Sequence, residues 1–162
     1  KINFFEQYLS PKMNINLKEK KKFKQPFLIQ NINIGLQKRF SLKITKKLHN
    51  DFKKFSGDTS PIHNDIKFCK KNNFKEKLGY AFLITSALTK IYGTYFPGGN
   101  ELCLHQTCNF RKPFFINDNL LIKLKVVQLN KSTKIISIYT EIKVKKKLIF
   151  DGHSVLKLSL KK

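Results

Sequence analysis

The stretch from Leu78 to about Tyr95 is apolar on nearly every side, with Phe82, Leu83, Ile84, Ala87, Leu88, Ile91, Tyr92 and Tyr95 spread around a helical wheel. A helix without a polar face has to be buried on most of its surface, so whatever else the chain builds must wrap it. Tyr95-Phe96-Pro97-Gly98-Gly99 ends the helix and turns the chain outward. Beyond it the pattern changes to period two. Leu102, Leu104, Gln106, Cys108 and Phe110 alternate with Cys103, His105, Thr107, Asn109 and Arg111, which predicts one strand ending at Lys112-Pro113. Asn117-Asp118 marks a turn into a strand over residues 120–129, and Asn130-Lys131-Ser132 a turn into another over 134–145, with Ile136, Ile138, Ile142 and Val144 as its apolar row. Residues 148–160 close the sheet, with Gly152 as a candidate bulge. A helix ahead of a run of antiparallel strands is an α+β pattern.

Upstream, Phe27, Ile29, Ile32 and Ile34 suggest a short extended segment leading to Gly35, and Phe40, Leu42 and Ile44 alternate as a strand should. Thr45 suits an N-cap, and Leu48, Phe52 and Phe55 recur at four and three, predicting an amphipathic helix over residues 46–55 with His49 exposed. Asp65 caps a shorter helix to about Lys71, with Phe68 and Cys69 inward, before Asn72-Asn73-Phe74 break it. Residues 1–30 have weak periodicity, with Pro11 and Pro26 flanking a lysine run. They are expected to be an N-terminal extension or linker, with a short helix over 4–9, ahead of one domain over 31–162.

At 162 residues with 41% hydrophobic residues and 15 Phe, the chain has material for one sizeable core. It carries no apolar run of membrane-spanning length and its first residues lack an apolar signal region, so a cytoplasmic protein without membrane contact is expected. Cys69, Cys103 and Cys108 form no paired motif and combine with no histidine at zinc-like spacing, so no metal is expected. The formal net charge of +23 raises nucleic acid, acidic membrane or a phosphorylated cofactor as partners. Yet 14 of the basic residues precede Asp58 and 19 follow it, and no nucleic-acid-binding motif accompanies them. A solvated lysine surface fits best, a rim attracting a phosphorylated cofactor or an acidic partner second, and nucleic-acid binding last.

Chemistry concentrates in Phe55-Ser56-Gly57-Asp58-Thr59-Ser60-Pro61-Ile62-His63-Asn64-Asp65. Gly57 allows a tight path, Pro61 stiffens the link, and Asp58 and His63 lie five apart, so the pair could bind one water and move protons near neutral pH. The plain alternative is a capped turn, with Asp58 and Ser60 bonded to nearby backbone and His63 facing solvent.

Ser-Gly-Asp-x-Ser-Pro-x-His-x-Asp resembles the signature of the MaoC-like (R)-specific enoyl-thioester hydratases and dehydratases, which have the hot-dog fold. Phe110-Arg111-Lys112-Pro113-Phe114-Phe115-Ile116-Asn117-Asp118 is similar to the family's Phe-x-x-Pro-Val-x-x-Gly-Asp segment, and Tyr95-Phe96-Pro97-Gly98 to the loop before its second strand. Two positions depart from the pattern: Tyr80-Ala81 stands where many members have His-Gly at the start of the central helix, and Ser60 stands where many have Asn. Asn117 replaces a turn glycine, which asparagine's tolerance of positive φ permits.

The resemblance implies a single hot-dog domain, an antiparallel sheet wrapped around a central helix, that interconverts trans-2-enoyl and (R)-3-hydroxyacyl thioesters of coenzyme A or acyl carrier protein. It implies Asp58 and His63 as the acid/base pair, the Ala81 N–H as donor to the thioester oxygen, and Tyr80 and Ser60 beside the substrate. It implies no cofactor, and a homodimer formed through edge strands or central helices. The alternative is a hot-dog protein that binds an acyl thioester without turning it over. His105 has the blander role of a satisfied core or interface histidine, His153 that of a strand-face residue, and Asp65 that of a helix cap.

Overall fold

Residues 27–99 and 101–158 are described by the computed structural model. The alternation read in the C-terminal half becomes three long strands, β4 (Asn119–Asn130), β5 (Ile135–Val144) and β6 (Lys147–Leu158), paired antiparallel in sequence order. β1 (Gln37–Lys43) adds to the β4 edge, and β2 (Glu101–Gln106) to the β6 edge, giving the order β1-β4-β5-β6-β2. Phe40, Leu42, Ile122, Leu124, Ile136, Ile138, Ile142, Phe150 and Leu156 point to one face and are buried there. Thr45 accepts from the Leu48 N–H at 3.1 Å and starts α1 (Lys46–Ser56) as expected. The short helices α2 (Pro61–Asn64) and α3 (Ile66–Lys71) follow, Asp65 capping α3 through bonds to the N–H groups of Lys67 and Phe68.

The apolar segment forms α4 (Ala81–Thr94), laid across the concave face of the sheet through Leu83, Ile84, Ala87, Leu88, Ile91 and Tyr92. A helix held against one antiparallel sheet in a single α+β domain is the hot-dog architecture. α4 is covered on one side only. Phe82 is 68% exposed, and Ser86 and Thr89 are exposed with it, where burial on most of its surface was expected.

Several local expectations change. Phe27 to Ile34 is not extended, since Ile29–Asn31 forms a 3-10 turn, although Phe27 reaches the core by stacking edgewise on Phe96 at 5.1 Å. The expected single strand after α4 is broken at Thr107-Cys108, and β3 (Asn109–Phe110) pairs separately with β6. Gly152 is not a bulge: it sits opposite Thr140 in regular register, and the extra residue on β6 is Ile149, between the partners of Ile142 and Lys143. Glycine is needed at 152 because a Cβ there would lie 2.1 Å from the carbonyl oxygen of Thr107, at the strand break. Asn117 does adopt positive φ, at 73°. The helix expected over residues 4–9 lies outside the described residues. Among the described residues no helix is long and apolar enough to cross a membrane.

Candidate active site

The loop between α1 and α2 is shaped by residues that favour it. Gly57 closes α1 in the left-handed region at φ 70°, its N–H donating to Lys53 O, and Pro61 opens α2 at the position where its missing N–H costs nothing. Between them Asp58 Oδ1 accepts from the Ser60 N–H at 2.8 Å. That bond, with a second from the Ser60 side chain and a smaller contribution from His63, holds the Asp58 carboxyl below the usual carboxylate range. Asp58 is therefore ionised near neutral pH and half-exposed, with 42% of its side chain open.

His63 approaches from α2. Its Nδ1 lies 2.9 Å from the carbonyl oxygen of Leu78, which can only accept, so Nδ1 carries the proton. In the neutral ring Nε2 is then a bare lone pair. It lies 3.8 Å from Asp58 Oδ2. Two acceptors at that separation cannot bond each other, but they suit one water donating a proton to each.

Tyr80 lies beneath the pair. Its ring stacks on His63 with centroids 4.1 Å apart, and its hydroxyl donates to Asp58 O at 3.0 Å while accepting from Asn64 Nδ2 at 3.4 Å. Burial raises its pKa, so the phenol stays neutral and orients without transferring protons. Tyr80 precedes α4 without a side-chain cap, and Ala81 is the first helical residue, so its N–H lies in a turn that has no intrahelical acceptor. Ser60 serves the loop, its carbonyl accepting from Asn64 Nδ2 at 2.9 Å and from the His63 N–H at 3.2 Å. Asp58, Ser60, His63 and Tyr80 are thus brought together, and Ala81 follows Tyr80 as the first residue of α4. His105 and His153 are exposed on the sheet, away from them.

His49 corrects the reading of α1. It is 2% exposed, and the apolar residue of α1 that faces solvent is Phe55, 86% exposed. His49 Nε2 donates to His63 O at 3.1 Å and its ring stacks on Tyr80 at 4.6 Å, leaving Nδ1 buried without a partner. Burial holds its pKa below the usual histidine range, so the ring is neutral. Asn64 was missed as well. Its place in the motif, four residues after Ser60, was the available signal.

A groove of about 460 Å³ runs between α1, α4 and β2, lined by Phe52, Phe82, Leu88 and Tyr92 among others, and Phe52 also packs on Tyr80 with ring centroids 5.2 Å apart. Its lining is largely apolar, as an acyl chain would require. At its far end Tyr92 donates to Ser154 Oγ at 2.5 Å, and Ser154 donates to Gln106 Oε1 at 2.5 Å. Among the described residues no group of three or more His, Cys, Asp or Glu could hold a metal ion.

The family described as "MaoC like domain" matches residues 29–147. A 3-hydroxybutyryl-CoA dehydratase of Methylorubrum extorquens is 24% identical over 132 residues, covering 82% of this chain and 84% of the relative. An (R)-specific enoyl-CoA hydratase of Aeromonas caviae is 25% identical over 130 residues, covering 80% of this chain and 97% of the relative. Among solved structures, an R-hydratase of Pseudomonas aeruginosa superposes with a TM-score of 0.78 at 21% identity, over 84% of this chain and 88% of that one.

Proposed function

The chain belongs to the MaoC-like domain family, and on that premise we propose that it is a lyase interconverting trans-2-enoyl and (R)-3-hydroxyacyl thioesters. The observation that carries this reading is the pair of proton acceptors, Asp58 Oδ2 and His63 Nε2, 3.8 Å apart. A water donating to both presents its oxygen lone pair to C3 of an enoyl thioester. As the C3–O bond forms, one of the pair takes a water proton and the C2=C3 π electrons move toward the thioester carbonyl. The resulting enolate oxygen is met by the Ala81 N–H at the positive end of α4. The proton then passes to C2, completing addition of one water, and dehydration is the same path reversed. Tyr80 and Asn64 fix the loop, and Ser60 keeps Asp58 ionised.

Crotonyl-CoA hydration, followed by loss of enoyl absorbance, tests the reading. Turnover that disappears in both Asp58→Asn and His63→Ala supports it, and wild-type protein without turnover overturns it. The carrier is a coenzyme A or acyl-carrier-protein thioester, the compartment is the cytoplasm, and residues 1–30 act as an extension or linker. A homodimer is the expected assembly. Among the described residues β1 and β2 are the outer strands of the sheet, and Phe82, Leu102 and Leu104 form exposed apolar surface along α4 and β2. Light scattering at micromolar concentration that shows only monomer would refute it.

A further inference from the structure

The helix that carries His63 is too short to satisfy its own carbonyls. α2 has four residues, and the carbonyls of its last turn have no partner within it. Ser60 O and Pro61 O accept from the N–H groups of His63 and Asp65, at 3.2 and 2.8 Å. Ile62 O is met from outside, by the Leu78 N–H at 3.1 Å and by Cys69 Sγ at 3.1 Å. The carbonyl of His63 itself is met by a side chain of α1, His49 Nε2 at 3.1 Å. A carbonyl can only accept, so Nε2 of His49 carries the proton, the opposite tautomer to that of the His63 ring.

His49 reaches His63 a second way. Its ring packs on Tyr80 with centroids 4.6 Å apart, Tyr80 packs on His63 at 4.1 Å, and Phe52, one turn further along α1, packs on Tyr80 at 5.2 Å. For packing alone an apolar side chain would serve better, because His49 is buried and its Nδ1 has no hydrogen-bond partner among the described residues. What histidine adds there is a neutral donor, where a lysine would bury a charge facing Lys53 and Lys77. Resting on the hydratase reading above, we infer that His49 is a positioning residue for the reaction: its Nε2–H holds the backbone of His63 where the His63 ring and Asp58 can share one water. The 3.8 Å between His63 Nε2 and Asp58 Oδ2 leaves little room for drift, since both atoms must stay within hydrogen-bond reach of that water. The Leu78 bond fixes the direction of the His63 ring, and the His49 bond fixes where the ring begins.

Two variants separate the donor from the ring. His49→Phe keeps an aromatic ring against Tyr80 and removes the donor, whereas His49→Gln removes the ring and keeps an N–H donor of similar reach. In the crotonyl-CoA assay His49→Phe is expected to lower kcat about tenfold with KM changed less than about twofold, and His49→Gln to keep kcat within about threefold of wild type. A merely structural role would reduce the folded fraction and leave turnover per folded molecule unchanged, so rates are referred to the folded fraction measured by circular dichroism. Wild-type kcat in His49→Phe, or equal impairment of the two variants, overturns the inference. If His49→Phe does not fold, His49→Leu, smaller than phenylalanine and also without a donor, takes its place. Nuclear magnetic resonance of protein with isotope-labelled imidazole nitrogens decides the matter without turnover. Wild type should show His49 protonated at Nε2 and His63 at Nδ1, and the His63 Nδ1–H should lose exchange protection in the variant without a donor and keep it in His49→Gln. Another tautomer at either histidine of wild type, or unaltered protection of His63 in the variant without a donor, overturns the inference. The expected spectra from a protein that does not hydrate crotonyl-CoA would support the hold on His63 and remove the hydratase reading alone.

Discussion

Two buried tyrosines sit at opposite ends of α4, and their surroundings differ in a way that separates chemistry from stability. Tyr92, in the last turn, belongs to a closed relay in which Thr140, Tyr92, Ser154 and Gln106 each donate to the next group, ending on Thr107 O. Thr140 and Ser154 are wholly buried there. Tyr80, just before the first turn, bonds Asp58 O and Asn64 at the border of a half-exposed loop, with two histidine rings against its faces. The Tyr80 hydroxyl bonds to a loop whose Asp58 side chain is open to water, whereas the Tyr92 hydroxyl bonds to wholly buried Thr140 and Ser154. The same side chain therefore orients a reactive pair in one place and satisfies a buried network in the other.

The sharpest way to break this division is at the reactive pair itself. Asp58→Asn and His63→Ala should each lower kcat by roughly 10² to 10⁴ in the crotonyl-CoA assay, the usual contribution of a general acid or base. Melting temperatures should stay near that of wild type, since both side chains are partly open. A stability loss matching the activity loss would make the loop structural instead.

Each end also has a glycine with no room for a side chain. A Cβ on Gly79 would lie 2.0 Å from the buried Phe114 ring, and one on Gly152 would meet the Thr107 carbonyl. Alanine at either site should cost about 1 to 3 kcal/mol in denaturant unfolding, the range for overpacking. Gly79→Ala should also reduce kcat, because it displaces Leu78 O from His63, whereas Gly152→Ala should leave the kinetics of the folded fraction intact.

The tyrosines provide the direct contrast. Tyr92→Phe strips the acceptor from buried Thr140 and the donor from Ser154, and should destabilise by about 1 to 3 kcal/mol with little kinetic effect. Tyr80→Phe should weaken kcat/KM by about 0.5 to 1.5 kcal/mol, with a smaller change in melting temperature. Interchanged outcomes would reverse the assignment of the two ends.

The smallest effect concerns His49. Its folded pKa is lowered, so as pH falls through the ordinary histidine value of about 6.5 the unfolded chain takes the proton first. Its contribution to stability is complete above that value and declines toward the lower folded pKa. His49→Gln keeps a donor for His63 O while removing the titration, and should flatten the loss of stability between pH 7 and pH 5.

Features set by near neighbours were legible in the chain. The Thr45 and Asp65 caps, the turn at Asn117, and the alternation of β4, β5 and β6 all depend on bonds or facing within a few residues. His49 was misread because the recurrence of Leu48, Phe52 and Phe55 orients α1 from its own composition alone. What buries His49 is Tyr80, a distant residue that turns the helix so that Phe55 faces outward. Gly152 suggested a local bulge, while its true constraint, Thr107 O, belongs to another strand. Phe82 remains uncovered because periodicity reports how apolar a helix is, not how many sides one protomer can cover.

The ties that fix the site run largely to the main chain. His63 is held by Leu78 O, His49 by His63 O, Tyr80 by Asp58 O, and Asp58 by the Ser60 N–H. Every residue type carries a peptide carbonyl, so a substitution at Leu78 does not by itself withdraw the partner from the imidazole. The arrangement therefore asks for only a few particular side chains, and a change at most other positions leaves its bonds in place.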